Sequence, residues 1–201
     1  MHRRPGPSAF ELVLWHRYTD GRAADLSGFG NHGRVEGPVP APGRAPGSGS
    51  LAFDGVDDRV VVLPSKSLRD LRALRVSAWI WLEGLGGRRT IMEGYGAFSF
   101  LIEPDGILEG TIYNGSRWEG VRSRPDLLPF RKWVEVTYVY DGVDTSALWV
   151  DREQVGLNLR PYGRIEPVGW PFGLSVGAWP NQDKRVFHGR IEEVKLWRLP
   201  T

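Results

Sequence analysis

Apolar and polar positions alternate with period two along most of the chain, most cleanly through residues 51–62, LAFDGVDDRVVV. There Leu51, Phe53, Val60 and Val62 alternate with polar or small neighbours, while Asp54-Gly55 and Asp57-Asp58 supply residues that tolerate a turn's backbone angles. The stretch predicts two short strands meeting at an acidic β-sandwich corner. Upstream, FELVLWHR at residues 10–17 predicts a first strand closed by Asp20-Gly21. Residues 25–33, DLSGFGNHG, are too rich in Asp, Ser, Asn and Gly for a regular element and read as a structured loop or a metal loop. The Pro/Gly/Ser run at residues 37–50 reads as a surface connection.

Beyond the corner, residues 65–71 predict one helical turn, and LRALRVSAWIWLE a central strand, because Val76, Ala78, Ile80 and Ser77, Trp79, Trp81 make both faces largely apolar. Strands follow at residues 90–93, 97–103, 106–113 and 118–123, punctuated by Pro104-Asp105-Gly106 and Asn114-Gly115 as in consecutive antiparallel hairpins. RKWVEVTYVYDG, the hairpin SALWVDREQVG, GLSVGAW and a last strand at residues 186–197 complete the pattern. The total is about twelve to fourteen short strands without βαβ alternation, as expected of two packed sheets. Trp15, Trp79 and Trp133 lie in alternating strands and are expected in the core.

Composition narrows the function classes. A chain of 201 residues fits one domain, residues 10–201, behind a Pro/Gly-rich lead at residues 1–9 that we expect to be disordered. The 26 Gly and 15 Pro leave few places for a long helix. With 26 Lys and Arg against 24 Asp and Glu the net charge is only +2, and Arg3-Arg4 and Arg88-Arg89 are too short to make a basic stripe, which argues against nucleic acid. No apolar run is long enough to span a bilayer. Cysteine is absent, which removes disulfides, zinc–thiolate sites and Cys nucleophiles. The opening MHRRPGPSAF has no apolar segment of the secretory kind, so the compartment stays open between an internal protein and a chain that begins after a removed segment.

The order LVLWHRYTDGRAADLSGFGNHG, GSLAFDGVDDRVVVL, RVSAWIWL, RKWVEVTYVYDG, ALWVD and FHGRIEEVKLWR resembles the laminin-G-like, concanavalin A-like jelly-roll superfamily from about Leu12 to Arg198. The resemblance implies an all-β fold, a two-sheet antiparallel jelly-roll sandwich, that binds glycans or proteins and often holds a structural calcium ion. On that pattern Asp25, Asn31 and the carbonyls of residues 27–33 are candidate calcium ligands with Glu192, which stands where the family more commonly has Asp. The competing reading is that Asp25 caps its own turn and Glu192 pairs with an Arg such as Arg190. Asp54, Asp57 and Asp58 are expected to fix their corner rather than hold an ion.

Catalysis finds little support. Glu103, Asp105 and Glu109 are the nearest paired carboxylates, and the turn at Pro104-Asp105-Gly106 keeps them off one strand. His2, His16, His32 and His188 are scattered, without a serine elbow or a metal-ligand pair. The candidate ligand surface is instead the loop aromatics with polar neighbours: Trp118 beside Asn114 and Arg117, Trp170 between Gly169 and Pro171, and Trp179 ahead of Asn181 and Asp183. Flat indoles stack on sugar rings while amides and charges bind hydroxyls, so the expectation is a non-catalytic, lectin-like module, the alternative being a protein-interaction or assembly module.

Overall fold

The structure, a computed structural model, describes residues 10–160 and 162–199; the lead expected at residues 1–9 lies outside the described residues. In chain order the strands are β1 (Glu11–Arg17), β2 (Gly33–Glu36), β3 (Val39–Pro42), β4 (Gly49–Asp54) and β5 (Arg59–Val62), followed by the single-turn helix α1 (Lys66–Arg69). Then come β6 (Leu74–Leu82), β7 (Arg89–Gly94), β8 (Phe98–Ile102), β9 (Leu108–Tyr113) and β10 (Trp118–Arg122). The last are β11 (Trp133–Tyr140), β12 (Thr145–Val150), β13 (Glu153–Leu159), β14 (Leu174–Val176) and β15 (His188–Arg198).

Eight strands form a first sheet in the order β13-β12-β11-β6-β15-β4-β3, with β1 also on β15, and seven form a second in the order β10-β9-β8-β7-β14-β5-β2. Every pairing between these strands is antiparallel. The two sheets face each other as a sandwich, the jelly-roll architecture that the resemblance implies. The acidic stretch is indeed a corner: β4 belongs to the first sheet and β5 to the second, so residues 55–58 carry the chain between layers. Asp58 Oδ2 accepts the Asp54 amide at 2.7 Å and Asp54 Oδ1 the Val56 amide at 2.8 Å, which closes the turn. Arg59 pairs with Glu36 and Asp183 rather than with these carboxylates.

Alternation decides what fills the space between the sheets. Val76, Ala78, Ile80 and Leu82 of β6 face inward, as do Val134, Val136, Tyr138 and Tyr140 of β11 and Phe98, Phe100 and Ile102 of β8. Phe100 stacks on Tyr138 at 5.9 Å, and a Cβ on Gly110 of β9 would stand 2.2 Å from the same tyrosine ring. Gly110 therefore lets the two layers approach where Tyr138 is bulkiest.

The structure corrects two expectations. Residues 39–42, inside the Pro/Gly/Ser run, are the edge strand β3, paired with β4 through Val39–Ala52 and Pro40–Leu51. An edge strand lacks a neighbour on one side, so prolines without an amide donor cost it no ladder hydrogen bond there. Trp15, Trp79 and Trp133 are not core residues: they are half-buried on the outer face of the first sheet. The guanidinium of Arg44 covers the Trp79 ring at 3.9 Å, the ammonium of Lys195 covers Trp15 at 5.0 Å, and Trp133 leans on Trp81 at 5.8 Å. Alternation put each of these rings on a definite face; the aliphatic positions of β6 took the inner one.

Candidate binding cleft

The outer face of the second sheet carries a concave cleft of about 670 Å³. Its floor is built by period-two positions of three neighbouring strands: Glu93 of β7, Ser99 and Leu101 of β8, and Glu109 of β9. The register sets Glu93 opposite Ser99 and Leu101 opposite Glu109, so the polar groups lie side by side across the sheet. One wall is the β9–β10 hairpin, where Tyr113 and Trp118 pair directly across the strands with their rings 5.4 Å apart. The opposite wall is the segment between β14 and β15, which supplies Trp179 and Arg185; Tyr95, just past β7, closes the end.

Each wall is held by its own local chemistry. Asn114 Oδ1 accepts the amides of Ser116 and Arg117 while its Nδ2 donates to the Tyr162 carbonyl at 2.8 Å, fixing the turn that aims Trp118. Across the cleft the Trp179 amide donates to the Lys184 carbonyl, closing the turn that contains Asn181. Arg185 follows with a left-handed backbone, φ 57°, and lays its guanidinium over the Trp179 ring at 4.3 Å. The same guanidinium lies 3.5 Å from Glu93 Oε2, which also accepts the Ser99 hydroxyl at 3.3 Å. Burial pushes the Glu93 carboxyl up to about 7, more strongly than Arg185 and Ser99 pull it down. Beside it the charges alternate: Arg88 bonds Glu103 at 2.9 Å, Arg122 reaches Glu103 at 3.1 Å, and Arg122 also pairs with Glu109.

Of the expected ligand residues, the cleft brings together Trp118 and Trp179. Asn114 supports the turn beneath Trp118, and Arg117 pairs with Glu119. Asp183 bonds Arg59 at 2.8 Å, and Asn181 is half-buried within its turn. Trp170 stands apart, lining a separate hollow with Pro64, Lys66 and Val168. Glu93, Ser99, Tyr95, Tyr113, Arg88 and Arg185 escaped the sequence reading. The alternation of strands β7 to β9 marks Glu93, Ser99 and Glu109 as outward-facing, but only their register makes them neighbours.

The expected metal ligands spend their oxygens on the protein. Asp25 Oδ1 accepts the amides of Trp15 and Ser27 at 2.9 and 3.0 Å, and Oδ2 accepts the Ser27 hydroxyl and the Asn31 amide at 2.7 and 2.9 Å. Although burial opposes ionisation, these bonds hold the Asp25 carboxyl below its usual range. Asn31 Oδ1 accepts the Ser65 hydroxyl, and its Nδ2 donates to the Val13 carbonyl and the Ser67 hydroxyl. Glu192 is buried and takes the Arg44 amide and guanidinium, each at 3.1 Å, so its partner is Arg44 and not Arg190. A guanidinium occupies the Glu192 carboxylate, and Asp25 bonds a different segment of chain; the set does not fit a calcium ion, which wants several free oxygens on one point.

Comparison with known proteins agrees with this architecture. A family model for the concanavalin A-like lectin/glucanases superfamily matches residues 53–200. A comparison with curated protein sequences returned no match. Domain 4 of AbnA, a GH43 extracellular arabinanase from Geobacillus stearothermophilus solved in complex with arabinotriose, superposes with a TM-score of 0.70 at 14% identity, over 94% of this chain and 93% of that one. The binding domain of Paraclostridial Mosquitocidal Protein 1 superposes at 0.75 with 15% identity, over 95% of this chain and 49% of that one. The binding domain of Botulinum Neurotoxin DC, in complex with SialylT, superposes at 0.62 with 15% identity, over 93% and 46%. The chain thus spans about half the length of the two toxin domains. At such identities the likeness establishes the fold.

Proposed function

The chain belongs to the concanavalin A-like lectin/glucanases superfamily, and from that premise we propose that it is a non-catalytic carbohydrate-binding module whose site is the cleft on the second sheet. The observation that carries the reading is the cleft's chemistry: Tyr95, Tyr113, Trp118 and Trp179 stand around a floor of Glu93, Ser99 and Glu109 with Arg88 and Arg185 beside it. Aromatic faces take the apolar faces of sugar rings, and fixed carboxylates, hydroxyls and guanidinia take the hydroxyls at their rims. The arabinotriose and SialylT complexes of the structural neighbours support a sugar as the kind of ligand this scaffold accommodates.

The carboxylates are arranged for binding rather than turnover. Glycoside hydrolysis needs an acid and a nucleophile or base flanking one bond. Here Glu103 and Glu109 share the Arg122 guanidinium, and Glu93 lies two strands from Glu109 against Arg185. We expect saturable binding to a subset of structures on a glycan array. Trp118→Ala or Trp179→Ala should weaken it roughly thirtyfold, the effect of losing about 2 kcal/mol at a stacking anchor. A blank array, with pull-downs returning one protein partner, replaces this reading with the protein-interaction one. Release of sugar product by the wild type but not by Glu93→Gln would make the cleft an active site.

A further inference from the structure

Away from the cleft, three connections meet around α1, and each exposes a large apolar side chain. Trp170, in the segment before β14, is 78% exposed, Leu63 between β5 and α1 is 64% exposed, and Leu26 and Phe29 after β1 are 50% and 42% exposed. Hydrogen bonds tie the three to the helix. Asn31 accepts from Ser65 at 2.7 Å and donates to Ser67 at 2.8 Å; the Val168 amide donates to the Arg69 carbonyl at 3.1 Å. Arg198 reaches the Lys66 carbonyl while its guanidinium lies 6.0 Å over the Phe29 ring.

Cations line the hollow beside Trp170. Lys66 and Arg69 are exposed and, among the described residues, neither pairs with a carboxylate. Of the nearby acids, Asp70 pairs with Arg164 at 3.8 Å and Glu11 with Arg198 at 3.0 Å, while both oxygens of Asp25 are turned onto donors of its own loop. Lys66 and Arg69 are thus left to meet an anion from outside. The hollow under Trp170 is walled by Pro64, Pro167 and Val168, and its uncharged polar neighbour Ser65 gives its hydroxyl proton to Asn31. Among the described residues, the unpaired groups beside the Trp170 ring are the cations Lys66 and Arg69, which suit an anion better than the hydroxyls of a neutral sugar.

We propose that this end of the sandwich is a peripheral docking surface for an anionic lipid bilayer: Trp170 and Leu63, with Phe29 and Leu26, enter the headgroup boundary, and Lys66 and Arg69 meet the lipid anions. Indole rings favour the interface between water and acyl chains, long basic side chains keep their heads in the headgroup layer, and each basic residue near an anionic surface adds attraction that salt screens. The contact is distinct from the cleft.

The test is co-sedimentation of the whole chain with vesicles of phosphatidylcholine alone and of phosphatidylcholine with phosphatidylserine. The expected result is binding to the anionic vesicles that weakens with salt, falls roughly tenfold or more in the Lys66→Glu/Arg69→Glu double variant, and falls likewise in Trp170→Ser. Trp118→Ala in the cleft should bind vesicles like the wild type, which separates failure of this surface from failure of the sugar site. No sedimentation with anionic vesicles at low salt, or undiminished sedimentation of Trp170→Ser, overturns the proposal. So does Trp170-dependent binding that free glycan, and not lipid, reproduces. These residues are exposed, so the variants fold, and circular dichroism checks it.

Discussion

Glu93 is the side chain on the cleft floor with the most distinctive environment: its carboxyl is pushed up to about 7 by burial, against the pull of Arg185 and Ser99. The unfolded chain releases that proton near the ordinary 4.5, whereas the fold holds it until about 7. Between those values the native state binds more protons than the unfolded one, so stability falls as pH rises through the window. The loss approaches roughly 3 kcal/mol at about 1.4 kcal/mol per pKa unit. Melting temperatures measured at mildly acidic and mildly basic pH should show this slope in the wild type and not in Glu93→Gln. Gly110→Ala tests packing at the same scale. The added methyl would enter the Tyr138 ring, 2.2 Å away between the two sheets, and the expected cost in a denaturant titration is about 1–3 kcal/mol. Glu93 was invisible in the sequence because a single Glu in a strand reads as a solvated position. Its burial comes from the loop carrying Trp179 and Arg185, far along the chain.

The loop after β1 shows how an element can be read in part. Its Asp, Ser, Asn and Gly residues forecast irregular backbone, and Asp25 indeed organises it through four hydrogen bonds to Trp15, Ser27 and Asn31. What composition did not separate was a carboxylate that organises its own loop from one that shares an ion, since both use the same residues. With its oxygens engaged by protein donors, we expect the melting midpoint to be unchanged by chelator or by saturating calcium. Asp25→Ala should lower stability by about 2–3 kcal/mol, because several amide donors lose their acceptor together. A calcium-dependent midpoint that disappears in Asp25→Ala would restore the metal reading. Strand β3 was missed for the opposite reason: Pro40 and Pro42 argue against a strand in general but are tolerated at an edge, and edge position is a property of the assembled sheet.

At the scale of the molecule, the pattern of short alternating segments and turn residues determined an all-β sandwich, most strand positions, the corner at residues 54–58 and the single helical turn. Those features are local, because period-two alternation and turn chemistry act over a few neighbouring residues. The same local logic named Trp118 and Trp179 as ligand-facing aromatics without stating that they share a site. If the cleft binds rather than cleaves, the wild type incubated with a broad polysaccharide set should release no product above a heat-denatured control. Only the tertiary structure decided that Trp15, Trp79 and Trp133 lie outside the core, that Glu192 belongs to Arg44, and that Glu93, Trp118 and Trp179 surround one cleft while Trp170 joins another end. The physical reason is that alternation assigns a residue to one of two faces but does not say which face is inside, which strands are neighbours or in what register; those are settled by packing between segments remote in sequence.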